Sequence, residues 1–423
     1  MEITIHRGAS QIGGCITEIS TDGCKIFIDL GSNLPGTAGQ EFTKEQVERL
    51  TVGADAVFYT HYHGDHVGLC RFVPEEIKQY IGRGAKEVMM CQCKALKNHE
   101  YEAVVGRMEV YEPLQSVDVG GKGLITVTPL FVDHSAFDAY MFKICCEGKT
   151  VLHTGDFRRH GFLGKALMLT LRKYAGSVDV LIIEGTMLGR KQERVISEND
   201  IERNVISLLK AHKYVFALCS SADKDRLASF HAACKATGRL FVVDEYQKSV
   251  LDVFSHYAGS MSSLFDFNKV FRLVNFRALN VRRLLGSKGF LMPVRMTGGR
   301  LINAMTSVYH DEPAWLIYSM WSGYADEGKP YAVKEVVELR RLFGHRIADG
   351  VVDGFHTSGH ADVGTLMDVC RTVSPKVGIV PIHRDESSCI DGFSLGGRYR
   401  VFSSGENSFD GIKIRINENI APV

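Results

Sequence analysis

The chain has 423 residues, of which 45% are hydrophobic and 23% are charged, so its composition is close to that of globular proteins. This composition excludes general disorder, and no apolar run reaches the roughly 18 residues needed to span a bilayer. The 50 lysine and arginine residues balance the 49 aspartate and glutamate residues, which excludes a strong overall field that would attract nucleic acid or an acidic membrane. The 11 cysteines form no CxxC pairs, and the first residues lack the apolar core of a signal peptide, which predicts reduced thiols and a cytoplasmic protein.

The first part of the chain is predicted to be rich in strands. Its β-branched and aromatic runs are typical of strands, and most of them end at glycine or at a charged residue. The predicted strands cover residues 25–29, 56–60, 124–128, 140–145, 150–153 and 178–183.

From about residue 195 predicted strands and helices alternate, which is typical of βαβ units and a parallel sheet. Strands are predicted at residues 214–219 and 239–244, and helices at residues 222–236 and 246–257. Near residue 347 the earlier pattern resumes, with a helix at about 362–373 and a strand at 377–381. The sequence therefore predicts one α/β domain, formed by residues 1–190 and 346–423, that is interrupted by a second domain at residues 191–345.

The segment THYHGDH at residues 60–66 places three imidazoles and a carboxylate directly after a predicted strand. Strand ends are usual ligand sites in α/β folds. Charged imidazoles would repel one another, whereas neutral imidazole and carboxylate are good ligands of first-row divalent metals. Further candidates, His134, Asp156 and His383, follow later predicted strands. The residues therefore predict a metal site in which Asp156 is able to bridge two ions.

These residues resemble the metallo-β-lactamase superfamily, whose HxHxDH element matches fully. The matching residues are His61, His63, Asp65 and His66, followed by the single later ligands His134 and Asp156. The resemblance implies an αββα sandwich with metals at one edge. One ion would be held by His61, His63 and His134. The other would be held by Asp65, His66 and His383, with Asp156 shared between the two. Asp29 in the segment IDLG matches the aspartate that orients a ligand histidine in this family.

The implied chemistry is that of two divalent ions, for which zinc is favoured and manganese is the alternative. Coordination lowers the pKa of a bound water to about 7 and so supplies metal-bound hydroxide, while two ions about 3.5–4 Å apart hold the attacking and leaving oxygens of a phosphodiester.

Three later motifs resemble motifs A, B and C of the β-CASP nucleases, a group that includes RNase J and endonucleases of messenger RNA 3′-end processing. They are Glu184 in IIEGTM, His360 in TSGHAD and His383 in PIH. In this branch a domain is inserted between motifs A and B, which implies a Rossmann-like β-CASP domain at residues 191–345. Asp65, Glu184 and His360 are then the predicted catalytic residues, with His360 contacting the scissile phosphate and protonating the leaving oxygen. The segment Arg384-Asp385-Glu386 departs from the glycine and acid that usually follow motif C.

Residues 267–310 contain no aspartate or glutamate and many basic residues. The predicted nucleic-acid contacts in this stretch are Arg272, Arg277, Arg282, Arg283, Arg295 and Arg300. Phe271, Phe276 and Phe290 would offer bases a stacking surface. The equally weighted alternative is a solvated basic helix face with the aromatic residues in the core.

The sequence as a whole favours a dinuclear metal-dependent phosphodiester hydrolase that acts on RNA, with single-stranded DNA as the alternative substrate and no membrane partner. Two other hypotheses stay open. One is a hydrolase of the same fold that acts on an ester or thioester outside nucleic acids. The other is an RNA-binding or assembly subunit with a degenerate site. The oligomeric state is also left open.

Overall fold

The computed structural model describes residues 1–37, 39–121, 123–190, 195–260, 262–403 and 412–416. The chain forms two compact units. The sandwich unit contains Met1–Arg159, Leu163–Gln192 and Gly359–Val423, and the inserted unit contains His160–Phe162 and Glu193–Ser358. The predicted domain limit between residues 190 and 191 adjoins residues 191–194, which lie outside the described residues, and the predicted limits stay a prediction.

The sandwich unit contains two sheets. The strands of the first sheet are β1 (Glu2–Arg7), β2 (Ile16–Thr21), β3 (Cys24–Leu30), β4 (Ala56–Phe58), β5 (Lys78–Gly82), β6 (Glu109–Tyr111) and β19 (Ile412–Arg415). Their order in the sheet is β19-β1-β2-β3-β4-β5-β6, with parallel pairing from β3 to β6.

The strands of the second sheet are β7 (Val117–Val119), β8 (Ile125–Val132), β9 (Ala139–Cys146), β10 (Lys149–His153), β11 (Val180–Glu184) and β18 (Gly378–Ile382). Their order is β18-β11-β10-β9-β8-β7, and β10, β11 and β18 are parallel.

Alternation along the strands places one apolar row of each sheet between the two sheets. Ile3 and Ile5 of β1 share a buried core with Ile125 and Val127 of β8. The helices of this unit are α1 (Lys44–Thr51), α2 (Gly64–Val67), α3 (Arg83–Leu96), α4 (His99–Arg107), α5 (Leu167–Thr170) and α12 (Val363–Val373). The apolar faces of α5 and α12 form a second core with the outer row of the second sheet, and α3 packs against β5 and β6. The predicted αββα sandwich is therefore confirmed.

The inserted unit is a parallel α/β structure. Its strands are β12 (Tyr214–Leu218), β13 (Leu240–Val243), β14 (Phe271–Arg272), β15 (Phe290–Val294), β16 (Trp315–Tyr318) and β17 (Ile347–Asp349). Their order is β14-β13-β15-β12-β16-β17. The helices are α6 (Glu198–Ala211), α7 (Lys224–Thr237), α8 (Glu245–Ala258), α9 (Leu279–Lys288), α10 (Gly299–Thr306) and α11 (Lys334–Phe343). Because β17 pairs with β16, the strand at residue 347 is part of the inserted sheet, although it follows the predicted limit at residue 345.

Short polar side chains start several of these helices. The Ser197 hydroxyl accepts a hydrogen bond from the Asp200 amide, and the Asp200 carboxylate accepts one from the Ser197 amide, which forms a capping box at the start of α6. At the starts of α7 and α8, the carboxylates of Asp223 and Asp244 accept hydrogen bonds from the amides of Arg226 and Gln247, without the reciprocal bond of a capping box. Among the described residues, no helix is both long enough and apolar enough to cross a membrane.

His231 of α7 gives the inserted unit a predictable sensitivity to acid. The side chain is buried between the rings of Phe241 and Phe267, at centroid distances of 5.6 and 5.2 Å, and burial lowers its pKa to about 4. Below pH ~6.5 the unfolded chain therefore binds a proton that the folded chain does not bind until about pH 4. We expect the free energy of unfolding to fall as the pH is lowered through this range, and the variant His231→Phe to lose part of that dependence. Urea denaturation of both proteins at several pH values measures this, and identical pH dependences would contradict it.

Candidate metal centre

The predicted ligands stand where strands of the sandwich unit end. His61 follows β4, His134 follows β8, Asp156 follows β10 and His383 follows β18. The short helix α2, which begins at Gly64, carries Asp65 and His66. The ends of these strands lie at one edge of the sandwich, and their side chains converge there, as strand ends do in α/β folds.

Three imidazoles form the first cluster of nitrogen atoms. The Nε2 atoms of His61 and His134 lie 3.0 and 3.2 Å from Nδ1 of His63. Oδ2 of Asp156 lies 3.9 Å from Nε2 of His61 and 4.0 Å from Nε2 of His134. These are the residues that the resemblance assigns to one ion.

A second cluster surrounds the same Asp156 carboxylate. Oδ2 of Asp156 lies 3.1 Å from Nε2 of His66 and 3.7 Å from Nε2 of His383. Oδ2 of Asp65 lies 3.0 Å from Nε2 of His383 and 3.9 Å from Nε2 of His66. The structure therefore brings all seven predicted ligands together, and Asp156 stands between the two clusters.

Asp29 contacts His66 on the side of its ring that faces away from Asp156. Its Oδ2 atom lies 2.8 Å from Nδ1 of His66, which leaves Nε2 of that ring facing Asp156. Its two oxygens also accept hydrogen bonds from the Thr60 amide, at 2.7 Å, and from the Thr60 hydroxyl, at 2.9 Å. Asp29 has a backbone φ of +61°, an unusual conformation for an aspartate, which these contacts maintain.

Burial keeps the imidazoles of the first cluster neutral. It lowers the pKa of His63 to about 4, and burial together with neighbouring imidazoles lowers the pKa of His61 and His134 well below the usual value. Neutral imidazole is the form that binds a metal, because its free nitrogen lone pair is the donor.

The second cluster strongly favours positive charge. Burial alone would lower the pKa of His66, but the carboxylates of Asp156, Asp29 and Asp65 raise it well above the usual value. Burial would likewise raise the pKa of Asp65, but His66 and His383 keep it low. A cation placed among these groups is therefore stabilised by ionised carboxylates.

The residues present fit divalent metal ions. Oδ1 of Asp156 is buried and has no hydrogen-bond partner among the described residues, and Nε2 of His66 faces the Asp156 carboxylate, so both are placed as ligand atoms. Ligand nitrogens around a tetrahedral ion with bonds of 2.0–2.1 Å lie about 3.4 Å apart, within the range of separations in both clusters. The set of neutral imidazoles and ionised carboxylates also matches the preference of first-row divalent metals.

Glu184 and His360 lie beside these clusters. Nδ1 of His360 is 3.3 Å from Oε2 of Glu184 and 3.6 Å from Oδ2 of Asp156. Glu184 is fully buried and accepts hydrogen bonds from the amides of Thr186 and Ala361, at 3.1 and 3.0 Å. The ring of His360 is 19% exposed, so a buried carboxylate holds one side of a histidine that still reaches solvent.

Thr186 is a site residue that the sequence reasoning missed. Its hydroxyl lies 2.7 Å from Nδ1 of His383 and 3.2 Å from Nδ1 of His360, so it contacts both a predicted ligand and the predicted catalytic histidine. Its position two residues after Glu184, within the motif that carries the resemblance, was the available signal.

The loop after His383 packs against the loop after Glu184. His383 has a φ of +52°, and Arg384, which is 5% exposed, donates hydrogen bonds from Nη1 to the carbonyls of Asp385 and Glu386 at 3.1 and 3.3 Å. A Cβ atom at Gly185 would lie 3.1 Å from Cβ of Arg384. The departure from the usual motif C is therefore accommodated by a buried arginine that binds its own loop.

The six arginines predicted to contact nucleic acid are all exposed residues of the inserted unit. Two of them already pair with acids of α8 or its cap, because Arg272 lies 2.9 Å from Glu245 and Arg295 lies 2.6 Å from Asp244. Residues 267–310 contain no acidic residue of their own, but acidic residues from another part of the inserted unit therefore contact two of their arginines. A role of the six arginines in binding nucleic acid stays a prediction.

The three phenylalanines of this stretch pack in the inserted unit. Phe290 is 1% exposed in the core of the parallel sheet, and Phe271 and Phe276 are half-buried against that core. Phe290 therefore has no face available to a base, and the alternative in which the aromatic residues pack inside holds for this residue.

Comparison with known proteins identifies the class to which this site belongs. Residues 26–220 match the family model described as "Beta-lactamase superfamily domain". Together with the αββα sheets and the ligands at the strand ends, this match shows that the chain carries a β-lactamase superfamily domain. The resemblance stated from the HxHxDH motif is thereby confirmed.

Curated relatives with a more specific description are ribonucleases J. Ribonuclease J of Helicobacter pylori (strain B128) is 22% identical over 396 residues, which cover 90% of this chain and 56% of that protein. Ribonuclease J of Mycobacterium tuberculosis (strain CDC 1551 / Oshkosh) is 22% identical over 402 residues, which cover 90% of this chain and 68% of that protein. The resemblance to this branch is confirmed, and the chain spans little more than half the length of the H. pylori relative.

The fold also recurs in a solved structure. The crystal structure of a protein of unknown function from Enterococcus faecalis V583 superposes with a TM-score of 0.70 at 17% sequence identity, covering 98% of this chain and 99% of that chain. This likeness extends the agreement in fold to both units of the chain.

Proposed function

We propose that the protein is a dinuclear metal-dependent hydrolase of phosphodiester bonds and that its substrate is RNA. The observation that carries the proposal is the pair formed by Glu184 and His360 beside the Asp156 carboxylate. A site that only bound metal would need no further histidine held by a buried carboxylate. The similarity to ribonucleases J supports RNA as the substrate.

The first ion would be held by His61, His63 and His134, and the second by Asp65, His66 and His383, with Asp156 shared between them. Zinc suits this imidazole-rich set best, and manganese is the alternative. When bound, the two ions supply Lewis acidity to the phosphate oxygens and lower the pKa of a coordinated water.

His360 is suited to protonate the leaving oxygen. Burial alone would lower its pKa, but the carboxylates of Glu184 and Asp156 outweigh that effect and raise it. Glu184 and Thr186 contact the Nδ1 side of the ring, so Nε2 is the atom that carries the transferable proton. Glu184 thus orients the ring and stabilises its charged form before the proton moves to the departing oxygen.

The alkoxide leaving group of a phosphodiester gains more from a proton donor such as His360 than the thiolate leaving group of a thioester does. The similarity to ribonucleases J favours a phosphodiester over a carboxylic ester. A degenerate binding subunit is disfavoured because all seven predicted ligands converge, six of them in groups of potential metal-ligand atoms and Asp65 through its contacts with His66 and His383.

The test compares labelled RNA, single-stranded DNA and an acyl thioester as substrates of the purified protein before and after metal depletion. We expect cleavage of RNA that is lost on depletion and restored by zinc or manganese. We expect His360→Ala to keep its bound metal and lose about 10²-fold in turnover. Preferred hydrolysis of the thioester would contradict the proposal, as would undiminished RNA cleavage by metal-depleted His63→Ala.

A further inference from the structure

The Thr186 hydroxyl contacts two histidines of the sandwich unit, His383 and His360. Thr186 is buried and begins the short turn Thr186–Leu188 directly after β11. Its amide donates a 3.1 Å hydrogen bond to Oε2 of Glu184, and branching at its Cβ atom leaves few side-chain rotamers. The hydroxyl is therefore held at a defined place between the two imidazole rings.

Three polar atoms surround the Thr186 hydroxyl oxygen. Nδ1 of His383 lies at 2.7 Å, the carbonyl oxygen of His383 at 3.1 Å and Nδ1 of His360 at 3.2 Å. A threonine hydroxyl donates one proton and accepts through two lone pairs. Because a carbonyl oxygen only accepts, all three contacts are hydrogen bonds in one arrangement alone. In that arrangement the hydroxyl donates to the His383 carbonyl and accepts from Nδ1–H of both rings.

The same arrangement is the one that metal binding at His383 requires. Nε2 of His383 faces the other ligands, 3.0 Å from Oδ2 of Asp65 and 3.7 Å from Oδ2 of Asp156. A neutral imidazole carries one proton, so a proton on Nδ1 leaves the lone pair of Nε2 free for a metal. If Thr186 donated to Nδ1 instead, the ring proton would lie on Nε2 and prevent ligation. Acceptance by Thr186 therefore selects the tautomer that binds a metal, as outer partners of ligand histidines commonly do.

The Thr186 hydroxyl also holds the Nδ1 proton of His360. That nitrogen lies 3.2 Å from the Thr186 oxygen and 3.3 Å from Oε2 of Glu184, and both oxygens accept a proton. With Nδ1–H held in this way, the proton that His360 gains or loses is the one on Nε2. Glu184 still accepts from Nδ1 when the hydroxyl is removed. The structure gives no second hydrogen-bond partner of Nδ1 of His383 among the described residues, so His383 depends on Thr186 more than His360 does.

We propose that Thr186 is a positioning residue shared by the metal centre and the proton donor. Its hydroxyl keeps the proton of His383 on Nδ1, which frees Nε2 for the second ion, and it holds Nδ1–H of His360 at the same time. The inference rests on the proposed function, which assigns His383 to a metal and His360 to proton transfer. It adds that one uncharged side chain supports both assignments.

The experiment compares Thr186→Val and Thr186→Ser with the unaltered protein. Valine has nearly the shape of threonine but no hydroxyl, whereas serine keeps the hydroxyl. We expect Thr186→Val to bind one of its two zinc ions about 10–100-fold more weakly, which is the usual effect of removing an outer partner of a ligand histidine. Zinc titration in competition with a chelating dye measures both ions. Thr186→Ser should bind both ions as the unaltered protein does.

Two further measurements separate this role from a general loss of stability. At saturating zinc we expect kcat of Thr186→Val for RNA to fall about 10-fold with unchanged KM, because His360 loses one of its two acceptors. Nuclear magnetic resonance of the zinc-loaded protein, labelled with ¹⁵N in histidine, shows which ring nitrogen carries a proton. We expect His383 to carry it on Nδ1 and that proton to exchange faster with solvent in Thr186→Val.

Thr51→Val is the matched control, because Thr51 is a buried threonine of the same unit whose hydroxyl donates to the Val47 carbonyl of its own helix at 2.9 Å. We expect it to leave zinc affinity, the histidine signals and kcat unchanged. The proposal is overturned if Thr186→Val binds both ions normally, if Thr186→Ser is equally impaired, if His383 carries its proton on Nε2, or if the control reproduces the effects. If the unaltered protein cleaves no RNA, the proposed function fails, while the zinc titration and the histidine signals still decide the role of Thr186.

Discussion

Asp156→Asn is expected to leave the protein with fewer than two bound divalent ions and to reduce RNA cleavage on the order of 10⁴-fold, because metal ions supply several kcal/mol of transition-state stabilisation. Oδ2 of Asp156 lies between the two clusters, 3.1 Å from Nε2 of His66 and 3.9 Å from Nε2 of His61. Asparagine has nearly the same shape but carries no charge, and one of its two terminal atoms is a donor that cannot ligate a metal. The variant therefore removes the charge and one of the two ligand oxygens at the shared position without opening a cavity.

The measurement is elemental analysis of the purified protein after exhaustive dialysis, combined with initial rates of RNA cleavage. Asp368→Asn is the matched control, because Asp368 is a half-exposed acid of α12 in the same unit, paired with Arg159 at 3.2 Å. We expect the control to retain its metal and its rate. Two tightly bound ions in Asp156→Asn together with normal cleavage would show that Asp156 is not the shared ligand.

The metal centre was predictable from sequence to the extent that its residues are close together in the chain. His61, His63 and His66 lie within six residues after a strand, and no packing role explains three imidazoles there. His134, Asp156 and His383 each stand far from the other ligands in the sequence, so their assignment to particular ions depended on the resemblance to the superfamily. Thr186 was missed because its partners, His360 and His383, are 174 and 197 residues away and only the folded chain brings them together.

Contacts between residues far apart in the chain also limit the prediction of surface charge and of strand order from sequence. The pairing of Arg272 with Glu245 and of Arg295 with Asp244 joins helix α8 to a stretch that contains no acids of its own. Similarly, the alternation of strands and helices predicts a parallel sheet in the inserted unit. It does not predict that β15 lies between β13 and β12, because strand order is set by tertiary packing.

Gly31→Ala is the second substitution for which we expect a large effect, although no predicted ligand is changed. A Cβ atom at Gly31 would lie 1.7 Å from the carbonyl oxygen of Asp65 and 2.2 Å from its carbonyl carbon. These are backbone atoms, which cannot rotate away as a side chain does. The same Asp65 carbonyl accepts a 3.0 Å hydrogen bond from the Cys15 amide, and the Gly31 amide donates to the Cys15 carbonyl at 3.0 Å, so neither chain segment has room to retreat.

Relief of this overlap must displace Asp65 and His66, and we expect destabilisation of about 3 kcal/mol together with weaker binding of the ion assigned to those two residues. Urea denaturation measures the first effect and metal titration measures the second. Gly106→Ala in α4 is the control, because a Cβ atom there meets nothing within 4 Å and helix propensity predicts equal or greater stability. Normal stability and normal metal affinity in Gly31→Ala would mean that the backbone of α2 can shift without moving its ligands. If stability and metal affinity fall as we expect, Gly31 is as necessary to the metal centre as Asp29. Gly31 leaves room for the backbone of α2 at Asp65, and Asp29 orients the ring of His66.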